Sequence, residues 1–135
     1  MEYSDTVRDH ALQPRNVGFI EGFDGRGESG DFSCGDVAVM TIRVRDGRLA
    51  EVKFLVQGCG AAIATCSIAT ELATGRTVEQ AAQLTDEEVA QALGGLPEPK
   101  MHCSNLAATA LRHAIEDYRR RAKLDLHDWR ALYQR

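Results

Sequence analysis

At 135 residues, with 16 basic against 20 acidic side chains and a formal charge of -4, the chain is long enough for one domain with a real core and too short for two. An acidic chain with 6% aromatic residues is a poor nucleic-acid binder; no apolar run reaches bilayer length and no cationic-then-apolar leader opens the chain, which points away from the membrane and to the cytoplasm. In that compartment the four cysteines, Cys34, Cys59, Cys66 and Cys103, read as metal ligands or reactive thiols rather than as two structural disulfides.

Residues 3–12 read as a short helix with Ser4 or Asp5 as N-cap and Tyr3, Val7 and Ala11 on one side, ended by Pro14. Residues 18–33 are rich in glycine. Within them Gly25-Arg26-Gly27-Glu28-Ser29-Gly30 matches the G-x-G-x-x-G pattern, but that fingerprint must follow a strand and open a helix, and strand-like sequence follows it here. A flexible loop, with at most a short edge strand, is expected instead.

From residue 37 apolar side chains alternate as Ala38, Met40, Ile42 and Val44, and after Asp46-Gly47 again as Ala50, Val52, Phe54 and Val56, which predicts a β-hairpin. A plain two-residue turn would set Met40 opposite Lys53. A three-residue loop with Gly47 as the left-handed bulge residue pairs Ile42 with Ala50, Met40 with Val52 and Ala38 with Phe54, keeping all eight apolar residues on one face. Continued to the open end, that register sets Asp36 opposite Val56 and Cys34 opposite Gly58, beside Cys59.

Residues 61–74 follow as a helical run stopped by Gly75, with Cys66 read as packing. Two capping boxes, Thr77 to Gln80 and Thr85 to Glu88, each open a short helix, and Gly94-Gly95 ends the second. Pro97 and Pro99 predict an extended segment from Leu96 to Met101, then a long helix from about Ser104 with Leu106, Ala110, Leu111, Ala114, Ile115 and Tyr118 on one face. His102 and Cys103 then sit at a helix N-terminus with Lys100 nearby, making Cys103 the expected acidic thiol. From Arg112 onward there are seven basic and four acidic residues, the charge of a solvated helix face. Residues 125–135 read as an amphipathic tail after a scaffold of residues 1–124.

Cys34, Asp36, Cys59 and Cys103, with His102 as a spare, thus offer soft donors and one carboxylate from three separate segments. Thiolates select zinc, copper(I) or iron-sulfur chemistry. The ligands come singly, unlike the paired thiolates of a zinc ribbon or the clustered ones of a ferredoxin.

The text His10 with Gln13-Pro14-Arg15-Asn16-Val17-Gly18, then Cys34-Gly35-Asp36, then Gly58-Cys59-Gly60-Ala61-Ala62-Ile63-Ala64, then Leu96 through Ser104 resembles the iron-sulfur cluster assembly scaffolds of the IscU type and the N-terminal domain of NifU. The resemblance implies an α+β fold: a small antiparallel sheet with helices packed on one face and a long C-terminal helix. It implies a non-enzymatic scaffold on which iron and sulfur from a cysteine desulfurase become a transient [2Fe-2S] cluster on Cys34, Asp36, Cys59 and Cys103. The cluster then passes to apo-proteins or carriers. Cys103 (by acidity) or Cys34 (by reach) would take the persulfide, and a frataxin-like iron regulator is a further implied partner.

Three departures qualify the resemblance. Cys66 stands where relatives usually carry serine. The stretch that an Hsp70-type chaperone reads as Leu-Pro-Pro-Val-Lys is here Leu96-Pro97-Glu98-Pro99-Lys100, which argues against that partnership. The further domains of full NifU and the insertion that marks the zinc-using SufU relatives are both missing, so a free-standing scaffold is expected. Zinc would nonetheless use the same donors, including His102, so the alternative reading is a zinc-bound sulfur acceptor serving a desulfurase.

Overall fold

The computed structural model describes residues 2–31 and 35–133; the side chains of Asp31 and of residues 124–133 lie outside that description. In chain order the elements are α1 (Asp5–Leu12), β1 (Gly25–Asp31), β2 (Asp36–Arg45), β3 (Arg48–Gln57), α2 (Gly60–Ala73), α3 (Val78–Ala82), α4 (Asp86–Ala92), a 3₁₀ turn at Glu98–Lys100 and α5 (His102–Tyr133). This is the expected α+β architecture. Three antiparallel strands lie in the order β1-β2-β3, and α2 and α5 cover one face.

The inward residues Ala38, Met40, Ile42, Leu49, Val52 and Phe54 are all buried against Ala62, Cys66 and Ala69 of α2 and Ala107, Leu111 and Ile115 of α5. Because α2 is hemmed in on several sides, nine of its fourteen residues are buried. Small side chains are what let the sheet, α1 and α5 approach it together. Thr41 points to the opposite sheet face and is still buried, its hydroxyl accepting the Ile20 N–H at 3.1 Å. The second face is therefore partly covered by the segment leading into β1.

The hairpin keeps the expected inward face except at Ala50, where Leu49 is buried instead, and does not keep the expected register. Asp46 and Gly47 both take positive φ, 53° and 73°, the signature of a tight two-residue type I′ turn. Arg45 pairs with Arg48 and Val44 with Leu49, and then Ala50 is skipped so that Arg43 faces Glu51, Ile42 faces Val52 and Met40 faces Phe54. The bulge buries Leu49 and turns Ala50 out to solvent, resolving the clash of charge and core that a plain two-residue turn would create. Asp36 therefore does not oppose Val56; Ala38 does.

The glycine-rich stretch is a full strand rather than a loop, with Gly27 opposite Met40 and Gly25 opposite Ile42. A Cβ on Gly27 would lie 2.3 Å from the Ala110 carbonyl oxygen and from the Ala114 nitrogen. The backbone of α5 rests directly on the backbone of β1. No dinucleotide fingerprint survives, since a sheet residue and not a helix follows Gly30.

The capping boxes at Thr77/Gln80 and Thr85/Glu88 form as expected, and Ser4 caps α1 by accepting the Val7 N–H at 3.1 Å. Glu98–Lys100 forms a 3₁₀ turn instead of staying extended, which Pro99 permits because its missing N–H falls where no intrahelical partner is due. The long helix begins at His102 and continues without a break past residue 124.

The segment after α1 is fastened to the body by polar contacts. Asn16 adopts a left-handed φ of 64°, its side chain donating to Thr70 Oγ1 at 3.0 Å and its carbonyl accepting the Phe54 N–H at 3.0 Å. Buried His10 places Nδ1 2.7 Å from Ser67 Oγ and Nε2 3.4 Å from Glu71.

Two outcomes are expected. Gly27→Ala should lower the urea-measured unfolding free energy by about 3 kcal/mol, because the clash is with backbone, whereas Gly60→Ala, with only Ala11 Cβ at 3.7 Å, should stay within about 0.5 kcal/mol of wild type. Burial, with Arg15 adding to it, holds the His10 pKa below its usual 6.5 against the opposing pull of Glu71 and Asp9. The folded state thus prefers neutral His10, and its contribution is complete above 6.5 and lost as pH falls through the lowered folded value. Denaturation midpoints between pH 7.5 and 5 should drop more for wild type than for His10→Gln.

Candidate cluster site

Three segments meet at the end of the sheet away from the hairpin turn. Asp36 opens β2, Cys59 is the N-cap of α2, and Cys103 lies in the first turn of α5. One ligand atom from each lies within 4.8 Å of the others, the metal-competent group among the described residues. The remaining expected ligand, Cys34, lies outside the described residues, as do residues 32 and 33.

Gly58 makes the meeting possible. A Cβ there would sit 2.7 Å from Asp36 Oδ1 and 3.0 Å from Ala62 Cβ, so the carboxylate occupies space that any other residue type would fill. Gly35 turns the chain into β2 with φ 81°, a conformation glycine adopts without strain.

His102 lies on the rim. Its Nε2 is 3.3 Å from Asp36 Oδ2 and 3.6 Å from Cys103 Sγ, while Nδ1 faces the Pro99 carbonyl oxygen at 3.1 Å. It touches two of the three ligands but does not belong to the mutually close set. Lys100 extends its Nζ to 3.7 Å from Cys59 Sγ.

The acidic thiol is Cys59 and not Cys103. For Cys59, burial works to raise the pKa, but the backbone N–H groups of Ala62 and Ala61 at the start of α2, and then the Lys100 ammonium, outweigh it and bring the thiol below its ordinary value. Cys103 has no exposed surface; burial first, then the adjacent Cys59 sulfur and Asp36, push it up to about 12. The helix N-terminus that acidifies a thiol is therefore that of α2, not that of α5. The signal was present in Gly58-Cys59-Gly60 directly before a helical run. Cys66, fully buried in the core, is likewise pushed up to about 12 by burial, as expected of a packing residue.

Half-buried Cys59, backed by Lys100, is the thiol of the pair that gives up its proton more readily, and so the readier to bind iron or take sulfur. Cys103 needs a metal ion or a base to lose its proton. Asp36 supplies a harder oxygen donor, 17% exposed at its side chain. Among the described residues, no helix is long and apolar enough to cross a membrane.

The chain matches the family described as "NifU-like N terminal domain" over residues 2–125. It is 56% identical over 124 residues to the iron-sulfur cluster assembly scaffold protein IscU 1 of Archaeoglobus fulgidus, covering 91% of this chain and 81% of that one. With the IscU scaffold of Azotobacter vinelandii the identity is 43% over 128 residues, covering 92% and 99%. In fold it is similar to a SUF-system scaffold from Fervidobacterium islandicum, described as putative, with a TM-score of 0.67, 22% identity and coverage of 84% and 96%.

In iodoacetamide labelling of metal-free, reduced protein near pH 8, followed by peptide mapping, Cys103 and Cys66 should react about a hundredfold more slowly than Cys59. Equal rates for Cys59 and Cys103 would contradict the electrostatic assignment.

Proposed function

The chain belongs to the family of the NifU-like N-terminal domain, and from that premise we infer that it is a scaffold on which iron-sulfur clusters are assembled and from which they pass to recipient proteins. It works as a carrier and not as an enzyme. The observation that carries the reading is the convergence of Asp36, Cys59 and Cys103 within 4.8 Å from three separate elements. The relatives' names support it, since they include IscU scaffolds at 56% and 43% identity.

In this reading the cluster is cargo. Cys34, Asp36, Cys59 and Cys103 hold a [2Fe-2S] cluster, with His102 exchanging onto the site next to Asp36. Thiolates bind iron strongly and the carboxylate less so, which suits a site that must give its cargo up. Sulfur comes from a cysteine desulfurase and the cluster goes to apo-proteins or carriers. A frataxin-like iron regulator and a reducing, cytoplasmic setting rest on the family resemblance and the cysteine usage. The scaffold unit is residues 1–124, consistent with a family match ending at 125; 125–135 is kept as a tail in function although α5 runs through the boundary. A zinc-bound sulfur acceptor would employ the same donors, but relatives that bear scaffold names do not favour it.

Anaerobic reconstitution with iron, cysteine and a desulfurase should give a visible [2Fe-2S] chromophore. Cys59→Ala and Cys103→Ala should each lose it while keeping wild-type circular dichroism. Asp36→Ala should retain it and release it more slowly to an acceptor apo-protein. Stoichiometric zinc in anaerobically purified protein, with no cluster formed on reconstitution, would overturn the reading.

A further inference from the structure

Strand β1 reads Gly-Arg-Gly-Glu-Ser-Gly-Asp and has no apolar side chain to bury. Its inward positions Gly25 and Gly27 lie against the backbone of α5, and a strand without side chains offers no ridge to lock a helix at one place along it. Two hydrogen bonds from α5 supply the lock, at an edge of the sheet. The Asp117 carboxylate accepts the Arg26 N–H at 2.8 Å, and His113 Nδ1 donates to the Glu28 carbonyl oxygen, also at 2.8 Å. The two side chains satisfy backbone groups that an edge strand would otherwise leave unpaired.

The carboxylate of this clasp is itself held in place. Burial works to raise the Asp117 pKa, but hydrogen bonds from Arg121 and the Arg26 N–H, and then the charges of Arg121 and Arg120, outweigh it and bring the carboxyl below its ordinary value. Arg121 Nε donates to the same oxygen at 2.8 Å.

The far end of β1 reaches the candidate site. Asp36 pairs with Asp31 of β1, whereas the pairing of β2 with β3 starts only at Val37 and Gln57. In the sheet, the backbone at Asp36 is therefore held from the β1 side. The contact is close, since a Cβ on Gly30 would overlap the Asp36 carbonyl oxygen and lie 2.8 Å from Val37 Cα. Cys103 lies on α5, about 15 Å along the helix axis from His113.

We propose, on the scaffold reading above, that Asp117 and His113 are positioning residues: by clasping β1 to α5 they set the place of the Asp36 carboxylate relative to Cys103. Neither touches a ligand. Without the clasp β1 keeps its pairing with β2 but loses its fixed position along α5, and the support of Asp36 shifts with it. Cys59 opens α2 and does not depend on the clasp.

The test titrates full-length, reduced, metal-free protein with Co²⁺ under anaerobic conditions and reads the thiolate-to-cobalt absorption band. His113→Ala/Asp117→Ala should keep wild-type circular dichroism and bind Co²⁺ about tenfold more weakly. Asp117→Asn, which retains an oxygen to accept the Arg26 N–H, should stay within about twofold of wild type. In an Asp36→Ala background, where the oxygen ligand is gone, removing the clasp should change the affinity by less than about twofold. In the metal-free double variant, amide hydrogen exchange should quicken in β1 and stay unchanged in β3. Should that variant fail to fold, His113→Ala alone, at an exposed position, carries the same comparison. Unchanged Co²⁺ affinity in a folded clasp variant whose urea midpoint alone has dropped, or the same loss of affinity in the Asp36→Ala background, would overturn the proposal and leave the scaffold reading standing. Wild-type protein that shows no thiolate band on addition of Co²⁺ would remove both.

Discussion

The carboxylate of Asp36 lies where residue 58 would otherwise carry a side chain, and the candidate site depends on that substitution of space. Asp36 belongs to the sheet and Cys59 to the start of a helix, so their ligand atoms converge only because the strand-to-helix junction has no Cβ to hold them apart. The same economy recurs where α5 lies on β1, with Gly25 and Gly27 letting helix backbone touch strand backbone. That contact sets the depth at which α5 crosses the sheet, and so the depth of Cys103 at its N-terminal end. Glycine at both contacts is a condition of geometry rather than of flexibility.

Those two contacts explain which parts of the molecule could be read from its sequence. The hairpin face, the capping boxes and the course of the long helix follow from periodicities and local side-chain chemistry that operate within a few residues. The strand at Gly25–Asp31 was hidden because its pairing edge is defined by what lies across it, not by its own side chains, and glycine leaves no alternation to detect. The hairpin register failed for a related reason. One skipped residue, Ala50, reconciles a tight turn with a clean apolar face, and a bulge is invisible to a rule that counts in steps of two.

The candidate ligands were legible as residue types and as segments, while their electrostatic ranking was not. Cys59 and Cys103 both open helices, yet one faces the N–H groups of Ala61 and Ala62 with an ammonium beside it and the other is sealed beneath its neighbours. Sequence locates a helix end; burial decides whether the helix dipole or desolvation prevails. Lys100 was placed beside Cys103 by proximity in sequence, but a 3₁₀ turn swings its side chain to Cys59 instead.

The bulge at Ala50 also divides the hairpin into two regions with different tolerance of length. Toward the turn, the skipped residue and the type I′ loop can absorb a lost or gained residue by reforming the bend, since nothing there touches the ligands. Between Glu51 and Gly58 each residue is a fixed step along the strand, and removing one would invert every later side chain and carry Cys59 about 3.3 Å along the strand from Asp36. That stretch of β3 works as a ruler, and insertions or deletions compatible with a working site belong on the turn side of Ala50.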